Sequence, residues 1–213
     1  MENLEVLDLV NKGGLLVGPI LLCSLIGTAI FFERLLRYRK FLKHREDYDS
    51  FYQLIHDGKF ATAQEFLSKR NPKLSAARRL MLEALNVDEP DRETVEMVLV
   101  HGVEREIASL SSYLSTLGVL GSTAPLLGLL GTVLGMIKAF SVVESMGGSV
   151  NASVLAGGIW EAMLTTALGL SVAIPLLFFH NHLESRLNYI HEYLEEVAIE
   201  FMKVWSKGHH TAH

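Results

Sequence analysis

Three stretches of the chain carry no charged residue and are long enough to cross hydrocarbon, which takes about 20 helical residues. They are 13–32, 107–137 and 162–179, the last with an apolar lead-in from Val150. The rest is polar and helical in pattern. This predicts an all-α membrane protein with three transmembrane helices, the second and third extended beyond the membrane as long helices. The expected boundaries are a short amphipathic segment at 1–14, spans at 15–32, 107–140 and 152–179, a helical loop at 33–106, a short loop at 141–151, and a helix and tail at 180–213.

Turn signals divide the large loop at Asp57-Gly58, at Asn71-Pro72 and between Asn86 and Pro90. Asp91 is placed to cap the next helix. No breaker follows before Pro125, so one helix is expected from about Asp91 to Phe140, on the order of 70 Å long. Its seam reads Val100, Val103, Ile107, Leu110, Leu114 and Leu117, then Gly121, Ala124, Gly128, Gly131 and Gly135. Large residues at such spacing suit helix packing in water. Small ones let helices approach closely in lipid, or face a narrow lumen. A second seam, Leu183, Leu187, Ile190, Leu194, Val197, Phe201 and Val204, continues the third span. Two such seams favour a homo-oligomer around an axis, although packing within one chain is the simpler alternative.

Charge placement orients the chain. Of 19 Lys and Arg, 14 lie in 33–106, and Arg34, Arg37, Arg39, Lys40, Lys43 and Arg45 follow the first span at once. The positive-inside rule puts this loop and the C-terminal tail in the cytoplasm, with the N-terminus and the 141–151 loop outside. The first residues hold Glu2, Glu5 and Asp8 and so do not read as a cleavable signal. They form either a surface helix or a frayed end. Cys23, the one cysteine, sits in the first span as an apolar filler.

Glu161 is the only charged residue between Ala152 and Phe179. A carboxylate in a membrane span is costly and points to a polar path by default. Thr165 is i+4 from it and shares its face. Thr166 follows, and Thr132 lies in the second span. These hydroxyls either hold water along a path or bond back to their own helices. Lys138 allows a second reading, in which a Glu161–Lys138 pair at the outer rim involves no proton chemistry. Hydroxyls do not titrate near neutral pH, so a full relay calls for a second carboxylate from another polypeptide. His180 and His182 either pass protons at the cytoplasmic end or cap the interface. His209, His210 and His213 are either a metal-binding tract or a tail without a role. The chain has no nucleotide loop, nucleophile triad or metal constellation, and nothing marks a nucleic-acid partner. No enzyme activity and no cofactor are expected.

The run Gly128-Leu-Leu-Gly-Thr-Val-Leu-Gly-Met-Ile137 and the run Gly158-Ile-Trp-Glu-Ala-Met-Leu-Thr-Thr-Ala-Leu-Gly-Leu-Ser-Val-Ala-Ile-Pro175 resemble the two signature spans of the ExbB/TolQ/MotA proton-channel family. Three spans rather than four resemble its ExbB/TolQ branch. The resemblance implies a bacterial inner-membrane homo-pentamer whose second and third spans line a pore. It also implies a single-span partner of the ExbD/TolR type, bringing an intramembrane Asp, and proton-driven motion that energises a TonB- or TolA-type protein. By the motifs, Thr132 and Thr166 line the pore and Glu161 is its acidic residue; helix spacing prefers Thr165 to Thr166, and both are candidates. Gly121, Gly128, Gly131, Gly135 and Pro175 are the expected packing positions, and Asn181 also matches. Leu134, where many members carry an aromatic residue, and Trp160 depart from the pattern. The expected function is a stator subunit serving TonB-dependent outer-membrane transport. A TolQ-like subunit of the Tol-Pal system and a non-conducting membrane scaffold are the alternatives.

Overall fold

The computed structural model describes residues 16–43, 48–69, 75–87, 91–145 and 152–211. They form seven helices: α1 Val17–Lys43, α2 Asp49–His56, α3 Phe60–Lys69, α4 Ala76–Leu85, α5 Arg92–Ser111, α6 Leu114–Ser145 and α7 Ala152–Thr211. Among the described residues there is no strand. Three runs are long and apolar enough to cross a membrane: Val17–Phe41, Arg92–Ser145 and Leu155–Lys207. The expected surface helix at 1–14, the Asn71-Pro72 turn and most of the 141–151 loop lie outside the described residues. So do His213 and the side chains of His209 and His210.

The chain divides into two compact units. One comprises Met1–Glu33 and Tyr113–Leu183, the other Arg34–Ser112 and Glu184–His213.

In the first unit α6 and α7 run antiparallel. Gly121 faces Leu177, Gly128 faces Thr166, Gly131 faces Thr165, Gly135 faces Ala162, and Ala139 faces Gly158. A methyl group at Gly128 would lie 3.0 Å from the Thr166 Cα and 3.1 Å from the Thr165 carbonyl oxygen; one at Gly169 would lie 2.7 Å from the Ala124 carbonyl oxygen. Backbone atoms cannot swing aside, so glycine is required at both positions. α1 joins this pair through Gly27, where a methyl group would meet Leu176 at 2.5 Å, and through Phe31, stacked on Phe179 at 3.9 Å. Pro125 and Pro175 sit inside α6 and α7 without ending them, as membrane helices tolerate. The outward faces are apolar: Leu126, Leu129, Val133 and Ile137 on α6, and Met163, Ile174 and Phe178 on α7, are exposed. An apolar surface of this extent suits lipid or partner helices rather than water.

The second unit packs α2 on α3, α3 on α4, and α4 on α5. Asp57 ends α2, Gly58 turns the chain with φ 70°, and Ser75 and Asp91 cap α4 and α5 through the Arg78 and Thr94 amides. Two guanidinium–carboxylate pairs tie α4 to α5, Arg79 to Glu106 and Arg105 to Glu83. Gly102 admits Leu80 between them. Leu183 closes the first unit's share of α7; from Leu187 onward Ile190, Leu194, Val197 and Phe201 are buried, with Phe201 stacked on Phe51 at 6.1 Å. Burial pushes the Tyr52 hydroxyl well above its ordinary range, and the Glu200 and Glu196 carboxylates add to it.

Two expectations change. The helix expected from Asp91 to Phe140 is interrupted: Ser112 is extended, with ψ 139°, and Tyr113 adopts φ 61°. That left-handed conformation costs a side-chain-bearing residue roughly 1–2 kcal/mol. The Ser111 and Ser112 hydroxyls donate to the Ala108 and Ser109 carbonyls, competing with helix continuation. The freed carbonyls gain partners from α1. Tyr38 donates to the Leu110 carbonyl at 3.0 Å, and buried Arg34 reaches those of Ser109 and Leu110 at 3.4 Å. Arg34 therefore serves as an internal cap and not as a surface charge. The seams also behave differently. Apart from the half-exposed Val204, the seam of α7 is buried within this chain, and Val100, the first residue of the other seam, is 51 % exposed while Leu99 is buried. The seam of α7 therefore finds its cover within this chain, while the other seam leaves Val100 uncovered.

Gly169→Ala is expected to lower the thermal stability of the purified protein by about 1–3 kcal/mol, the usual cost of overpacking. Gly157→Ala, where nothing lies within 4 Å, is expected to be neutral or to gain about 0.5–1 kcal/mol from helix propensity. Thermal unfolding in detergent measures both.

Candidate functional site

The glycine face of α6 decides where the polar side chains of α7 point. Ala162, Thr165, Gly169, Ala173 and Leu176 form the buried stripe of α7, at the spacing of one helix face. Thr165 is 2 % exposed, seats its methyl against Gly131, and donates its hydroxyl to the Glu161 carbonyl at 2.9 Å. Thr166 is one position on and does something else. Its hydroxyl crosses to the Gly128 carbonyl at 2.9 Å, the group that the Thr132 amide reaches in a regular α-helix. The two threonines are thus separated by role: Thr165 packs and bonds within its helix, and Thr166 links the helices. Thr132 donates to the Leu129 carbonyl at 2.6 Å and lines a groove on α6 with Met136, Phe140, Ser141 and Glu144.

Glu161 sits one turn toward the α7 N-terminus from Thr165, nine residues after Ala152. Its side chain is 30 % exposed, and its Oε2 lies 3.6 Å from the Lys138 ammonium, which is 72 % exposed. The pair expected as a rival reading is therefore present. It flanks two close small-residue contacts, Gly135 against Ala162 and Gly158 against Ala139. Here the two backbones pack closely on both sides of the pair. Pro175 is exposed within α7. His180 lies over Gly118, where a methyl group would come within 3.0 Å of the imidazole, and His182 stacks on Phe178. Among the described residues no group of three or more His, Cys, Asp or Glu is arranged to hold a metal.

Sequence reasoning missed Gly169 and the Arg34–Tyr38 cap. Gly169 was visible as the centre of a small-residue stripe at three- and four-residue spacing. The cap was signalled only by the cluster Ser109, Ser111 and Ser112.

A model of the MotA/TolQ/ExbB proton channel family matches residues 70–196. The chain belongs to this family. It is 30 % identical over 215 residues to an ExbB-like biopolymer transport protein of Synechocystis, covering 96 % of this chain and 82 % of the relative. It is 29 % identical over 217 residues to the biopolymer transport protein exbB1 of Vibrio cholerae, covering 93 % and 92 %. The Tol-Pal system protein TolQ of Haemophilus influenzae is 28 % identical over 218 residues, covering 95 % and 94 %. Within the MotA/TolQ/ExbB family the chain is most like ExbB. This is a family of membrane transport and channel proteins, and the match spans the residues from α4 through the polar cluster of α6 and α7.

Thr166→Val is expected to remove the hydroxyl bond from α7 to the Gly128 carbonyl of α6, lowering thermal stability by about 0.6 kcal/mol. Thr165→Val, whose hydroxyl turns back on its own helix, is expected to cost less in the same unfolding assay.

Proposed function

We propose that the chain is a stator subunit of a proton-driven machine in the bacterial inner membrane, and that it couples proton entry to TonB-dependent outer-membrane transport. One observation carries this reading. A single carboxylate stands in the otherwise uncharged stretch 152–179 of α7, partly exposed, one turn from two threonines and against a glycine-lined neighbour. Carboxylates are retained in membrane helices where they serve ion or proton paths. Membership of a proton-channel family supports the same conclusion.

On this reading Glu161, Thr132 and Thr166 border the path and Thr165 fixes the register beside it. Copies of the chain assemble as a ring, a pentamer by family likeness. The exposed apolar face of α6 and the Thr132 groove supply the surfaces for neighbouring copies and for a single-span partner. That partner, of ExbD/TolR type, brings the second carboxylate that the charge-free stretch 107–137 lacks. A TonB-type protein receives the resulting motion. The N-terminus lies in the periplasm and the C-terminus in the cytoplasm, as the basic residues after the first span favour. The membrane potential supplies about 2.3 kcal/mol per proton per 100 mV, enough for modest mechanical work.

Two observations favour other readings. The TolQ relative matches nearly the whole chain, which supports service in a Tol-Pal system. The Lys138–Glu161 pair supports a scaffold in which the carboxylate is purely structural. Proton uptake into vesicles holding the chain and its single-span partner separates channel from scaffold. Glu161→Ala and Thr132→Ala are each expected to reduce uptake to background; full uptake in both contradicts the channel reading.

A further inference from the structure

We infer that Lys138 is a positioning residue for this path, an electrostatic latch that competes with the incoming proton for Glu161. The inference rests on the channel reading above and concerns what regulates its carboxylate.

Three features of the geometry carry it. First, the Lys138 ammonium lies 3.6 Å from Oε2 of Glu161, across two helices and not along one. Second, the backbones pack closely on either side. Gly135 abuts Ala162, and Gly158 abuts Ala139, each too closely to admit another methyl group. Opening the pair by side-chain rotation leaves these contacts intact, whereas separating the helices would break them. Third, the two partners differ in freedom. Lys138 is 72 % exposed on a long, rotatable stem, while Glu161 is 30 % exposed. Lysine presents a compact, mobile charge suited to letting go. The carboxylate stays and the ammonium swings.

The surrounding charge makes this competition simple. Among the described residues of the first unit, α6 carries only Lys138 and Glu144 as charged groups. Glu144 is exposed, six residues beyond Lys138. α7 carries only Glu161 before His180 and His182 at its far end. α1 carries Cys23 and Glu33, and Tyr113 begins the unit's second segment. Among the described residues Lys138 is thus the cation paired with the carboxylate. The step balances without a co-reactant. A proton from hydronium adds to Oε2 of Glu161, water is left behind, the carboxylate loses its charge, and the ammonium is released to solvent. When the proton leaves along the path, the carboxylate recovers its charge and Lys138 pairs with it again. Only an O–H bond forms and breaks.

The latch sets how acidic the entry side must be before Glu161 takes a proton. The test is proton uptake into vesicles containing the chain and its single-span partner, measured against the pH on the entry side. Wild type, Lys138→Gln, Lys138→Arg and Glu161→Gln are compared. Lys138→Gln is expected to shift half-maximal uptake upward by about one pH unit, because the proton no longer displaces a cation. Lys138→Arg, which keeps the charge, is expected to stay near the wild-type profile. Thermal unfolding is measured for each variant; matched melting with a shifted profile supports the latch. A Lys138→Gln profile superimposed on wild type, with Glu161→Gln inactive, overturns the latch and leaves the channel reading intact. A Lys138→Arg shift as large as that of Lys138→Gln also overturns it, since charge would not be the cause. Full uptake by Glu161→Gln overturns the channel reading, and this inference with it.

Discussion

At Gly128 and Gly169 the backbones of α6 and α7 lie too close for a methyl group, and the placement of the polar side chains in the apolar unit follows from that contact. Close approach sets the register of the two helices. The register puts Thr165 into the space left by Gly131 and carries the Thr166 hydroxyl to the Gly128 carbonyl. It also brings Lys138 opposite Glu161. In hydrocarbon, water does not drive helices together, so small residues and cross-helix hydrogen bonds have to fix the geometry. Five glycines between residues 118 and 135 weaken α6 as an isolated helix. The packing they allow offsets that loss.

The same economy of polar groups shapes the second unit. Its helix α5 ends at Ser111, and Tyr113 takes a conformation that side chains disfavour. A helix end leaves carbonyls without partners, and here Tyr38 and buried Arg34 provide them. Arg34 looked like one of six cytoplasmic charges. Its position shows that a charge beside a membrane span can be an internal cap. The Arg79–Glu106 and Arg105–Glu83 pairs then hold α4 against α5.

The three apolar spans, the turn at Asp57-Gly58, the Asp91 cap and the isolation of Glu161 were legible in the sequence, because each depends on local chemistry or on simple counting along the chain. The break at Ser112 was not. It depends on donors from α1, more than seventy residues away, and no local breaker marks it. Thr165 and Thr166 could not be told apart by spacing either. Their roles depend on which glycine of the opposing helix each one meets. The seams were recognised as packing faces, but the sequence could not say whether their partners lay in the same chain. For the seam of α7 they do, from Leu187 through Phe201.

The central claim is that Glu161 takes up and releases a proton and is not merely one half of a fixed ion pair. Infrared difference spectroscopy of the chain with its single-span partner, recorded while the pH on the entry side is lowered, addresses that claim most directly. The account predicts a protonated-carboxyl band that appears on acidification and vanishes in Glu161→Gln. A Glu161 carboxylate that stays ionised throughout the pH range of proton uptake would contradict it.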